Sequence, residues 1–75
     1  MSTTHTTLEE VIRVRELLRS GEFARIRDRA GMTKSEIAHV LGVHAATYGR
    51  WENDAATPIF ESCIRLSELL RVLER

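Results

Sequence analysis

The side chains best suited to chemistry in this sequence are hydrogen-bond donors in its middle third, chiefly Lys34, Ser35, Thr47 and Arg50. An arginine guanidinium can donate two parallel hydrogen bonds, and the O6 and N7 acceptors of a guanine edge fit that geometry. A lysine ammonium and a serine hydroxyl suit phosphate oxygens, while a threonine hydroxyl suits either a base or a phosphate. These residue types predict non-covalent recognition rather than bond making.

Patterns for catalysis and metal binding are missing from the sequence. It has no glycine-rich phosphate loop, no nucleophile accompanied by a base and an orienting residue, and no carboxylate pair suited to a shared pocket. His5, His39 and His44 do not share a metal-ligand spacing, and the one cysteine, Cys63, is remote from them along the chain. We therefore predict a protein that is not an enzyme and that has no metal, cofactor or small-molecule ligand.

The composition bounds the class of protein. The 75 residues include 11 basic and 11 acidic side chains, so the formal net charge is zero. A hydrophobic content of 43% and a charged content of 29% fit a folded globular chain. No apolar run approaches the roughly 20 residues that span a bilayer, and the first residues lack the regions of a signal peptide. We expect one cytoplasmic domain with no membrane partner and no strongly basic surface for non-specific nucleic-acid binding.

Apolar residues recur at helical spacing almost throughout, and capping residues divide the chain into helices. Capping boxes are predicted at Thr7 with Glu10 and at Thr33 with Glu36. Thr57 as N-cap and Pro58 as first helical residue predict the start of the last helix. The five predicted helices span residues 7–19, 22–30, 34–41, 44–53 and 58–74. Residues 1–6 are expected to be a disordered tail, and residues 7–75 a single domain.

The third and fourth helices, with the turn between them, form the diagnostic segment of residues 33–53. Ala38 has to be small because the next helix crosses over it, and Gly42 has to turn the chain at positive φ. Apolar positions that would lock the two helices together are Ile37, Leu41, Val43, Tyr48 and Trp51. The spacing indicates a helix-turn-helix unit, in which the second helix enters the major groove of DNA.

With these features, the sequence resembles the phage-repressor-like, or Cro/repressor-type, helix-turn-helix regulators. The resemblance extends from residue 23 to about residue 70. It rests on the Arg-x-x-x-Gly-hydrophobic-Thr run from Arg27 to Thr33, on Ile37-Ala38, Leu41-Gly42-Val43 and Arg50-Trp51-Glu52, and on the start of a leucine-rich helix at Thr57-Pro58. It implies an all-α, compact five-helix bundle of lambda-repressor-like type with an extra N-terminal helix.

The resemblance also implies a DNA-binding surface centred on the fourth helix, whose first turn matches that of a recognition helix. Arg50 follows on the same face one turn later, and Lys34 matches a phosphate- or base-contacting position. Arg27 and Glu52 are similar to a buried ion pair that ties the second helix to the recognition helix. The candidate DNA-contacting residues are Lys34, Ser35, His44, Ala45, Ala46, Thr47 and Arg50.

Three positions depart from the family pattern. The loop after the recognition helix carries Asp54, where family members often have lysine or arginine, and its charge would repel phosphate. Gly49 lies inside the recognition helix and costs roughly 0.5–1 kcal/mol relative to alanine. Tyr48 is bulkier than the usual aliphatic residue, and its hydroxyl needs a hydrogen-bond partner or a way out to solvent.

The implied function is a sequence-specific transcription regulator of phage or bacterial type, either a repressor or a Cro-like protein. Its partner would be a palindromic operator in double-stranded DNA, and its location the nucleoid. The alternative is an antitoxin-like or adaptor module, in which the helix-turn-helix is mainly a scaffold for protein interaction. The zero net charge and Asp54 favour the alternative, whereas Thr47, Arg50 and the paired alanines favour the regulator.

Both ends of the chain carry more apolar surface than a small domain needs. A stripe at 4-3-4-3 spacing on the last helix consists of Ile59, Cys63, Leu66, Leu70 and Leu73. We expect it to pack against the first helix, either within one chain or across a two-fold axis. A homodimer is the preferred prediction, with helix 7–19 or helix 58–74 as the dimerisation element, and a monomer whose first helix covers its last is the alternative.

Overall fold

This computed structural model describes residues 8–75 of the chain, which form five α-helices joined by turns and loops. They are α1 (Leu8–Ser20), α2 (Glu22–Arg29), α3 (Lys34–Leu41), α4 (Ala45–Glu52) and α5 (Phe60–Leu73). No strand occurs among the described residues, and the predicted all-α, five-helix fold is confirmed. The predicted tail and the predicted cap at Thr7 lie outside the described residues. None of the five helices is long and apolar enough to cross a membrane.

Helix α3 begins and ends where its capping signals predict. The Thr33 hydroxyl accepts a hydrogen bond from the Glu36 backbone N–H at 3.0 Å, and the Glu36 carboxylate accepts one from the Thr33 N–H at 2.8 Å. At the other end Gly42 has φ of 76°, and the Val43 N–H reaches the Ala38 carbonyl at 3.0 Å. The positive φ turns the chain at once, so that α4 can cross α3 above the buried Ala38.

The predicted start of the last helix is wrong by two residues. Ile59, with extended φ and ψ of −68° and 166°, is the N-cap, and α5 begins at Phe60 without a side-chain cap. Pro58 is buried, and its carbonyl accepts a hydrogen bond from the Cys63 thiol at 3.6 Å. Burying the Pro58 ring in an extended segment therefore outweighs the local preference of Thr57 to act as a cap.

The core draws on all five helices. Its aromatic centre is Tyr48 against Trp51, with ring centroids 6.0 Å apart and ring planes at 73°, an edge-to-face arrangement. The other buried members of this cluster are Val14, Leu18, Phe23, Ile26, Ile37, Ala38, Leu41, Leu66 and Leu70. Because α4 contributes two aromatic residues to this cluster, its orientation is fixed by the core.

Helix α1 packs against α5 within the same chain. Val11, Val14 and Leu18 are buried on the packed face of α1. Two ion pairs also connect α1 to the C-terminal part of α5: Arg13 Nη2 lies 2.9 Å from Glu74 Oε2, and Arg71 Nη2 lies 2.7 Å from Glu10 Oε2. The apolar faces at the two chain ends thus meet inside one chain, while large apolar side chains stay exposed at Leu8, Ile12, Val40, Ile59, Phe60 and Val72.

Candidate nucleic-acid interface

The candidate DNA-contacting residues lie at the beginnings of α3 and α4 and one turn along α4. Lys34 and Ser35 are the first two residues of α3, and His44 is the N-cap of α4. Of the seven candidates only Thr47 is half-buried, and the other six are exposed. The two helix N-termini and their polar side chains are therefore open to a ligand, as phosphate binding requires.

Exposed and buried residues occupy opposite sides of α4. Tyr48 and Trp51 point into the core, whereas Ala45, Ala46 and Arg50 are exposed. With 3.6 residues per turn, Ala46 and Arg50 differ by only about 40° around the helix axis. The outward face of α4 therefore combines small side chains with one long guanidinium.

Gly49 lies on this outward face, one turn after Ala45 and Ala46. Apart from its chain neighbours and the backbone of its own helix, a Cβ added to Gly49 would meet no heavy atom of residues 8–75 within 4 Å, and the backbone φ of Gly49 is not positive. Packing within the protein therefore does not require glycine at this position. Glycine lowers the stability of α4 at this position, but it also leaves the backbone of α4 uncovered on the side from which a ligand would approach.

We predict that Gly49→Ala has opposite effects on folding and on DNA binding. The free energy of unfolding should rise by about 0.5–1 kcal/mol because alanine favours the helix. DNA affinity should fall, since the new methyl group would obstruct close approach of the duplex. Denaturant titration and band-shift assays measure the two effects, and Ser62→Ala, a similar gain in propensity on α5, is the control. A more stable variant with unchanged DNA affinity would show that no duplex approaches Gly49 closely.

A hydrogen-bonded network holds α4 behind this face. Arg27 Nε donates to Glu52 Oε2 at 2.7 Å, and Arg27 Nη2 donates to Glu52 Oε1 at 3.3 Å. The third arm of the guanidinium, Nη1, donates to the Met32 carbonyl at 2.7 Å. The side chains of Arg27 and Glu52 are only 10% and 4% exposed. The structure thus places together the two residues that were predicted to pair, and they link α2, the α2–α3 turn and α4.

The Tyr48 hydroxyl completes the network by donating to Glu52 Oε2 at 2.5 Å. The sequence predicts that this hydroxyl needs a partner, but it does not identify Glu52 as that partner. A tyrosine and a glutamate four residues apart on one helix are neighbours, and this spacing is the signal that could have identified the contact.

The charges of the network are stable at neutral pH. Burial by itself would raise the pKa of Glu52, but the hydrogen bonds from Arg27 and Tyr48 outweigh it and hold that pKa below its ordinary value. The hydrogen bond to Glu52 raises the pKa of Arg27. Burial raises the pKa of Tyr48, and the hydrogen bond to Glu52 raises it further. The carboxylate stays ionised, the guanidinium stays charged and the phenol stays a neutral donor.

Asp54 follows α4 in the left-handed region, with φ of 58°. The turn is closed by hydrogen bonds from the Asp54 N–H to the Trp51 carbonyl at 3.2 Å and from the Ala55 N–H to the Arg50 carbonyl at 2.8 Å. Asp54 is exposed and makes no ion pair with any residue between 8 and 75. An uncompensated negative charge therefore lies directly after α4.

A family model described as Helix-turn-helix matches residues 23–74, about two thirds of the chain. The matched segment contains α2 to α5, except the first residue of α2, and leaves α1 outside. Comparison with curated proteins and with solved structures finds no match.

Proposed function

Because the chain belongs to the phage-repressor-like helix-turn-helix family of DNA-binding regulators, we propose that it is a sequence-specific transcription regulator that acts as a repressor or a Cro-like protein. The observation that carries this proposal is the outward face of α4. Ala45, Ala46 and Gly49 allow close approach of a duplex, and Arg50 is exposed beside them. The buried contacts of Tyr48, Trp51 and Glu52 hold this face in a fixed orientation.

In this proposal α4 lies in the major groove and reads base edges. Arg50 donates two hydrogen bonds to O6 and N7 of a guanine, which discriminates against other bases by about 1–3 kcal/mol. The methyl groups of Ala45 and Ala46 contact thymine methyls, and Thr47 contacts a base or a phosphate. Phosphates are held by Lys34, Ser35 and His44 together with the N-terminus of α3. Arg27 and Glu52 form the buried ion pair that positions α4.

The proposed complex contains two copies of the chain on a palindromic operator. One recognition helix reads only half a site, and two half-sites are about 34 Å apart, one turn of the duplex. The longest extent of the described chain is 36 Å, and it contains one helix-turn-helix unit, so a single copy does not reach both half-sites with recognition helices. Operator binding would then repress transcription by excluding RNA polymerase.

Two observations favour a second candidate function, an antitoxin-like or adaptor module that binds another protein. The net charge is zero, and Asp54 places a negative charge next to the recognition helix. Such a module would use α3 and α4 mainly as a scaffold. It would bind DNA weakly or not at all, which separates it from the regulator.

The test is a band-shift titration against the DNA upstream of the protein's own gene, between about 50 and 200 mM salt. Phosphate contacts release counterions, so the logarithm of the binding constant should fall linearly with the logarithm of salt concentration, with a slope of about −0.9 per contact. Lys34→Ala should reduce this slope by about 1 and weaken binding to all sequences equally. Absence of DNA binding at the lowest salt concentration, or a binding constant that does not change with salt concentration, would support the adaptor function instead.

A further inference from the structure

A groove of about 510 Å³ separates α1 from the loop that follows α4. Ile12, Arg15, Glu16 and Arg19 line it from α1, and Asp54 and Pro58 line it from the loop. One wall of the groove therefore belongs to the helix outside the family match, and the other wall begins where the recognition helix ends.

The groove carries two charges of each sign, and none of them is paired within the described part of the chain. Arg15 and Arg19 are exposed, as are Glu16 and Asp54. None of the four makes an ion pair with another residue in the range 8–75. On the α5 side of α1 the situation is different, because Arg13 and Glu10 are both paired there. The charges in the groove are thus balanced and available for a partner.

Apolar residues lie in both walls of the same groove. Ile12 lies in its α1 wall and is 47% exposed. Pro58 is an apolar residue of the opposite wall. Apolar groups next to balanced charges are the composition of a protein interface rather than of a phosphate site.

We propose that the groove is the surface on which a second copy of this chain docks about a two-fold axis. Such an axis brings the same patch of each copy against itself, so the patch has to be complementary to itself. Here Arg15 and Arg19 of one copy face Glu16 and Asp54 of the other, and the exposed Ile12 is covered. With equal numbers of cationic and anionic side chains, the groove lacks the net positive charge that favours a duplex. This inference rests on the dimer in the proposed function, but its test needs no DNA.

The test exchanges the charges and then mixes the products. Arg15→Glu/Arg19→Glu makes the groove acidic, and Glu16→Lys/Asp54→Asn makes it basic while keeping a residue that tolerates the backbone of position 54. Sedimentation velocity at micromolar concentration should show the unaltered chain as a dimer and each variant alone as a monomer, with at least tenfold weaker association. An equimolar mixture of the two variants should dimerise again. A monomeric unaltered chain, or a mixture no better associated than its components, overturns the proposal.

Ile12→Lys and Val40→Lys are a matched pair of variants that identify which surface forms the dimer interface. The two side chains are similarly exposed, at 47% for Ile12 and 58% for Val40, but they lie on different helices, α1 and α3. The Ile12 variant should be monomeric and the Val40 variant dimeric, and the reverse would place the interface beside α3. Band shifts with a single half-site separate the two proposals. If the unaltered chain is a monomer that binds the half-site, docking of a second copy at the groove is excluded and the DNA-binding function stands. If it is a dimer that binds no DNA at any salt concentration, the DNA-binding function is excluded and docking at the groove stands.

Discussion

Replacing Glu52 by alanine is expected to lower the free energy of unfolding by about 3–5 kcal/mol, the usual cost of stranding one member of a buried ion pair. The substitution leaves the guanidinium of Arg27 in the interior without its carboxylate, and it removes the acceptor of the Tyr48 hydroxyl. Chemical denaturation followed by circular dichroism measures the change. Since small domains have total stabilities of about 5–15 kcal/mol, the variant should be close to unfolding.

Glu22→Ala is the control for this prediction. Glu22 also pairs with arginines, at 3.0 Å from Arg25 and 3.8 Å from Arg29, but those arginine side chains are largely exposed. Its loss should cost less than about 1 kcal/mol because water screens and replaces the contacts. Equal destabilisation by the two substitutions would contradict the structural importance of the buried pair.

Acid should weaken the fold through the same residue. Because the pKa of Glu52 is lower in the folded chain than in the unfolded chain, its ionisation stabilises the fold above the unfolded pKa. That contribution is lost as the pH falls through the folded pKa. Glu52→Gln, which has no proton to bind, should therefore lose less stability on acidification than the unaltered chain. Parallel denaturation curves at neutral and acid pH compare the two proteins.

Arg50→Ala is expected to weaken binding to the preferred operator by about 1–3 kcal/mol and to relax the preference at one base pair. The fold should be retained, because Arg50 is exposed and makes no ion pair with residues 8–75. Band shifts with operators altered one base pair at a time measure the preference, and circular dichroism checks the fold. Arg65→Ala, which removes an equal charge from α5, is the control. Unchanged affinity and preference in the Arg50 variant would exclude a base-reading role.

The parts of the fold that the sequence predicts well are those that depend on neighbouring residues. Thr33 with Glu36 and the turn at Gly42 are local signals, and α3 follows them residue for residue. The last helix shows the limit of such signals. Thr57 and Pro58 have the composition of a helix start, but burial of Pro58 is a tertiary effect that moves the start to Phe60.

Contacts between distant segments are less accessible from the sequence. Apolar spacing predicts that the first and last helices have faces to cover, but periodicity cannot tell whether α1 covers α5 of its own chain or of another. The pairing of Arg27 with Glu52 follows from the resemblance to known regulators rather than from spacing. Nothing local connects Arg15 and Glu16 with Asp54, because the groove they share exists only once α1 has docked.

Selection of bound sequences from a random library of duplex DNA tests the central claim most directly, since that claim is base-specific recognition by α4. The full chain should enrich a palindrome with half-sites one duplex turn, about 34 Å, apart. With Arg50→Ala the enriched sequences should lose their preference at one symmetric pair of positions. Failure of the unaltered chain to enrich any sequence above the starting library, although it is folded, would contradict the account.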